Sequence, residues 1–214
     1  MRNRRRNFTL VELLVVIGII AVLAGMLMAG IMYAPAKAQK AKAQAEVTTL
    51  VNAIKQFESA YGVLPMATTL TKDGTLTSAN YKKMIHLLQA DAEGLSSDEE
   101  KALKKINKRW TKFLDIQGNT PGEFKDSWGE DYNVVLDYDY DGKISIKEAD
   151  AADCIPGVYV EKKDNKYTYR FSVIVWSKGH DRKSSSTATN KVNEDNVYSF
   201  PTTWSSSTGH NISK

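Results

Sequence analysis

The strongest chemical signal in the chain is Asp137-Tyr138-Asp139-Tyr140-Asp141-Gly142-Lys143-Ile144-Ser145-Ile146-Lys147-Glu148. Asp137, Asp139, Asp141 and Glu148 stand at the first, third, fifth and twelfth places, with Gly142 at the sixth, as in a calcium loop. In that reading Lys143 offers its backbone carbonyl, Ser145 binds directly or through water, and Glu148 binds with both oxygens. Ile144 anchors the loop to the core. Four carboxylates converging on one point repel one another unless a hard cation neutralises them, so the expected ion is Ca²⁺. Mg²⁺ fits less well, because it sheds water reluctantly and resists a bidentate carboxylate. The residues before the loop read as strand, so a calcium-clamped connection at a sheet edge is expected and a paired helical sensor is not.

A second polar constellation is Ser177-Lys178-Gly179-His180-Asp181, followed by Glu194-Asp195-Asn196-Val197. Spacing alone leaves two readings open, a shared cation and a hydrogen-bonded polar loop. Other chemistries lack their parts. The single Cys154 has no partner for a disulfide or a thiolate metal site, and is expected to be buried. His86, His180 and His210 are too scattered to form a metal cluster. His86 lies in an amphipathic stretch and reads as a structural residue, while Asp181 directly follows His180, which points the two side chains apart in extended chain. No glycine-rich phosphate loop or glycine-elbow serine is present, so no enzyme chemistry is expected.

The elements that must position these residues begin with an apolar run. From Leu13 to Ala34 no residue is charged, 22 positions in all. As helix this spans about 33 Å, enough to cross a hydrocarbon core of about 30 Å. Arg2, Arg4, Arg5 and Arg6 precede it, which places the N-terminus in the cytoplasm and everything after Ala34 outside it. The formal charge of +4 belongs to this tag, since without those four arginines 25 basic side chains face 25 acidic ones. Nucleic acid is therefore not an expected partner. Glu12 is the anomaly, a carboxylate within the apolar stretch that calls for a partner.

Alanine, lysine and glutamine from Ala36 to Glu46 are strong helix formers. Val47, Leu50, Val51, Ile54, Phe57 and Tyr61 then recur at spacings of three and four, one face of an amphipathic helix. The helix is predicted from about Thr9 to Tyr61, stopped by Gly62, with a bend at Pro35. Beyond it, residues 66–79 read as loop, Tyr81–Leu88 as a short helix, and a capped helix follows from Ser96 or Ser97 to Asn107. Strands are predicted at Phe113–Ile116, Tyr132–Leu136, Gly157–Val160 and Tyr167–Trp176, the last two as a hairpin turning at Lys163–Lys166. The polar tail is expected to be tied down at least to Trp204. These elements divide into a basic leader over 1–7, a transmembrane half-helix over 8–34, an amphipathic half over 35–61 and a soluble domain over 62–214. The fold class is α+β, a long N-terminal transmembrane and amphipathic helix packed on a small antiparallel β-sheet.

Phe8-Thr9-Leu10-Val11-Glu12-Leu13-Leu14-Val15-Val16-Ile17 after a short basic leader resembles the start of type IV prepilins and of the prepilin-like proteins of type II secretion. That resemblance implies cleavage between Asn7 and Phe8 by a prepilin peptidase, N-methylation of Phe8, and contact of Glu12 with a neighbour's new amino terminus. Asn7 stands where the family has glycine. Asp126-Ser127-Trp128-Gly129-Glu130-Asp131-Tyr132 resembles the Asp-Pro-Trp-Gly-Asn-Pro-Tyr signature of the major pseudopilins, with Ser127 in place of proline. Trp176–Asp181 with Glu194–Val197 is similar to their calcium loop, which implies Ca²⁺ ligands at Ser177, Asp181 and Asp195, with Glu194 beside them. The implied role is a subunit of a periplasmic pseudopilus, a helical homo-oligomer. Its partners would be the lipid bilayer, the inner-membrane assembly platform and minor pseudopilins. The rival readings are a type IV pilin of a surface fibre and a membrane-tethered calcium-binding module that never polymerises.

Overall fold

The computed structural model describes residues 9–66, 73–115, 120–147, 155, 158, 162–163, 166–185, 187 and 189–212. Two compact units divide the chain, Met1–Ala41 and Lys42–Lys214. The helix α1, Leu10–Tyr61, begins one residue after Thr9 and continues unbroken through Pro35. Its stretch Leu10–Leu27 is long and apolar enough to cross a membrane, and none of it is buried within the chain.

In the second unit α1 supplies a buried stripe. Ala43, Val47, Leu50, Ala53, Ile54 and Phe57 are buried on the face that the spacing of three and four marks out. They pack against an antiparallel sheet of four strands in the order β1-β2-β6-β7, with β1 at Gly74–Thr75, β2 at Asn133–Leu136, β6 at Val173–Ser177 and β7 at Val197–Tyr198. Alternation splits the strands between two cores. Val134, Leu136, Val173, Val175 and Val197 join the α1 side. Val135, Ile174, Trp176 and Tyr198 join Ile144, Ile155, Val158, Tyr169 and Phe200 on the other. Both faces are covered, which is why β6 is buried at every position.

Helices α2, Ser78–Gln89, and α3, Ser97–Ile106, complete the α1-side core through residues such as Met84, Ile85, Leu88 and Leu103. Ser96 and Glu99 form the reciprocal cap expected for α3. A smaller antiparallel sheet has the order β3-β5-β4, with β3 at Ile144–Lys147, β4 at Lys162–Lys163 and β5 at Lys166–Tyr169. The C-terminal hairpin β8–β9, Thr202–Ser205 and Gly209–Ile212, holds the tail past Trp204. There His210 places Nε2 at 2.7 Å from the Asn193 carbonyl.

Three expectations are corrected. Residues 74–75, read as loop, are the edge strand β1. Phe113 and Leu114 make no strand; their N–H groups both donate to the Leu88 carbonyl at the end of α2. The run Tyr167–Trp176 is two strands in different sheets, parted at Arg170–Ser172, where the Asp137 N–H donates to the Ser172 carbonyl. The hairpin turning at Lys163–Lys166 is present, with β4 paired to β5, while of the strand expected at 157–160 Val158 alone is described, in an isolated parallel bridge with His210. Tyr169 is a core residue at 2 % exposure.

Candidate metal centre and N-terminal motif

Asp137 follows the last residue of β2 and is 1 % exposed. Its Oδ2 accepts the Gly142 N–H at 2.9 Å, a closure that the positive φ of Gly142, 81°, makes possible. Asp139 Oδ1 accepts the Asp141 N–H at 3.2 Å, and Asp141 Oδ1 accepts the Lys143 N–H at 2.9 Å. The loop is thus wound on its own aspartates. Ile144 is fully buried beneath it, as its place in the loop predicts. Tyr140 is half exposed, yet its hydroxyl accepts the Leu64 N–H at 2.7 Å, which ties the loop to the chain just beyond α1.

Among the described residues one acidic cluster has three members, Asp73, Asp137 and Asp139, with one oxygen from each within 4.8 Å of the others. Burial pushes the Asp137 carboxyl above its ordinary range, opposed by the Gly142 N–H and reinforced by Asp139 and Asp73. Such a set can take a divalent cation through oxygen ligands. Asp141 turns instead to Lys143, whose Nζ is 3.3 Å from its Oδ2. Ser145 meets the cluster through its N–H, which donates to Asp73 Oδ2 at 2.7 Å. Glu148 and Cys154 lie outside the described residues.

Asp73 was not expected here. In the sequence it marks only a turn, Asp73-Gly74. The pairing of Gly74 with Leu136 sets it beside Asp137, and nothing local foretells that pairing.

The second constellation is drawn together by hydrogen bonds. Ser177, fully buried on β6, donates its hydroxyl to Asp126 Oδ2 and accepts the Gly179 N–H at 3.1 Å. Asp126 in turn accepts the Trp128 and Glu130 N–H groups on Oδ1, which folds the Asp126-Ser127-Trp128-Gly129 turn. Asp195 Oδ2 accepts the Asp181 N–H at 3.0 Å, and Asp181 Oδ1 accepts that of Lys183 at 2.7 Å. Glu194 is exposed. Gly179, at φ 72°, lies directly on Asp195, whose carbonyl oxygen is 2.5 Å from where a Cβ would stand. Asp126 is the residue that sequence reasoning left out of this group.

At the N-terminus, Glu12 Oε2 accepts both the N–H of Thr9, at 2.9 Å, and its hydroxyl, at 2.8 Å, while the Glu12 N–H donates back to Thr9 Oγ1 at 3.3 Å. This is a capping box that opens α1 with an exposed carboxylate. Leu10, Val11, Leu13 and Leu14 around it are all more than half exposed. Asn7 and Phe8 lie outside the described residues.

Comparison with curated proteins gave no match, and comparison with solved structures gave none. A family model does match at the N-terminus: residues 2–28 carry the prokaryotic N-terminal methylation motif, the one found in type IV pilins and pseudopilins.

Proposed function

We propose that this protein is the structural subunit of a pilin-type filament, a periplasmic pseudopilus for type II protein secretion that Ca²⁺ stabilises. The observation that carries this reading is the methylation motif on a helix whose apolar face is exposed and whose first turn holds one carboxylate. Before assembly the helix sits in the inner membrane with its leader in the cytoplasm. A prepilin peptidase cuts between Asn7 and Phe8, and Phe8 is methylated. The assembly platform then stacks subunits, with minor pseudopilins, so that the apolar helices bury one another in a helical homo-oligomer that does not close. In that apolar interior the Glu12 carboxylate exchanges its Thr9 contacts for a neighbour's amino terminus, where low dielectric strengthens the pair. The chain performs no catalysis. Ca²⁺ would be held at the Asp137 loop, and in the family's manner by Ser177, Asp181 and Asp195 with Glu194 alongside.

The test is Glu12→Ala. It should abolish filament assembly, seen by electron microscopy and cross-linking, while membrane insertion stays intact. Filaments at normal abundance from this variant would overturn the reading.

A further inference from the structure

A calcium loop of twelve residues is ordinarily completed by the acid at its last place, which a helix leaving the loop folds back toward the ion. Here the chain leaves in the strand β3, paired residue for residue with β5 from Ile144 opposite Tyr169 to Lys147 opposite Lys166. An extended chain advances about 3.3 Å per residue, so by Lys147 it has moved roughly 10 Å on from Ile144. The exit that would return a terminal acid to the loop is absent among the described residues.

Another carboxylate occupies the loop. Asp73 reaches in from the turn before β1 and accepts the N–H of Tyr138 at 2.6 Å and that of Ser145 at 2.7 Å, the second and ninth places of the loop. One of its oxygens lies within 4.8 Å of oxygens from Asp137 and Asp139. Those hydrogen bonds do not exhaust it, because each carboxylate oxygen has two lone pairs. A separate observation points to a ligand. Asp137 is 1 % exposed, and its Oδ1 has no hydrogen-bond partner although Oδ2 is satisfied by Gly142. A buried carboxylate oxygen left unpaired is costly, and two neighbouring carboxylates make it worse. A divalent cation with oxygen ligands relieves both.

We infer that the ion is held across two distant segments, by Asp73, Asp137 and Asp139, and that Asp73 does the work of the loop's terminal acid in place of Glu148. This rests on the calcium reading of the loop given above. The bound ion then clamps the edge strand β1 to the loop, which Tyr140 already fastens to Leu64 behind α1.

The experiment titrates the full-length protein in detergent micelles with Tb³⁺, sensitised by Tyr138 and Tyr140, and displaces it with Ca²⁺. Asp73→Asn should weaken Ca²⁺ about tenfold or more, whereas Glu148→Gln should stay within about twofold. The reverse pattern overturns the inference. So does wild-type binding that Asp73→Asn leaves unchanged, and that result spares the calcium reading. Failure of the wild-type chain to bind Tb³⁺ or Ca²⁺ overturns both. If Asp73→Asn loses its near-ultraviolet circular dichroism, having lost a partner for two backbone N–H groups, Glu148→Gln decides: a tenfold loss refutes the inference and retained affinity supports it.

Discussion

Asn107 joins three parts of the second unit through one amide. Its Oδ1 accepts the Tyr61 hydroxyl at 2.6 Å and the Thr111 N–H at 2.9 Å, and its Nδ2 donates to the carbonyls of Leu87 and Thr111. The side chain is fully buried, so its partners meet no bulk water in the folded chain. Asn107→Ala should lower unfolding stability by about 2–4 kcal/mol, measured by denaturant titration of the detergent-solubilised chain, because it strands several buried polar groups at once. A loss under about 0.5 kcal/mol would contradict this account of the site. Legibility at this scale followed sequence distance. Asp137, Asp139 and Ile144 were readable because a loop's own spacing encodes them. Asp73 and Asp126 were not, since each meets its partners through pairing between segments far apart in the chain.

At the scale of elements, α3 shows a local signal that worked. Ser96 caps it, and hydrogen bonds from the Ser96 hydroxyl and N–H hold the Glu99 carboxyl below the usual carboxylate range, with Lys83 adding to the effect. A depressed folded-state value means that the ionised contact favours folding above the ordinary carboxylate pKa and is lost as pH falls through the folded value. Ser96→Ala should therefore lower Tm near neutral pH by more than it does well below pH ~4, where Glu99 is protonated in both proteins. An equal loss at both pH values would assign the cap to the serine alone. The helix α1 was legible from end to end, because alanine-rich composition and the spacing from Val47 to Tyr61 agree with its burial. The break at Arg170–Ser172 was not. Tyr167 to Trp176 is aromatic or β-branched except at Arg170 and Ser172, too slight an interruption to end a strand by itself, and the second sheet, with Tyr169 in one ladder and Val173 in the other, reveals the corner.

At the scale of the whole molecule, the two units answer different demands. Lys42–Lys214 buries its apolar side chains on both faces of a four-stranded sheet and carries the polar loops. Met1–Ala41 leaves Leu10–Leu27 wholly uncovered, which in water would be an aggregation surface and in a bilayer or filament core is a binding surface. The methylation motif falls on that unit and nowhere else. Pilin-type assembly would therefore depend on what happens at the Asn7–Phe8 junction, where asparagine stands in the place of the glycine of the prepilins this stretch resembles. Intact-mass and N-terminal analysis of the native protein tests this most directly. The expected result is a mature chain that begins at Phe8 and bears one added methyl group on its amino terminus. A native chain that retains residues 1–7 with no methyl group would contradict it.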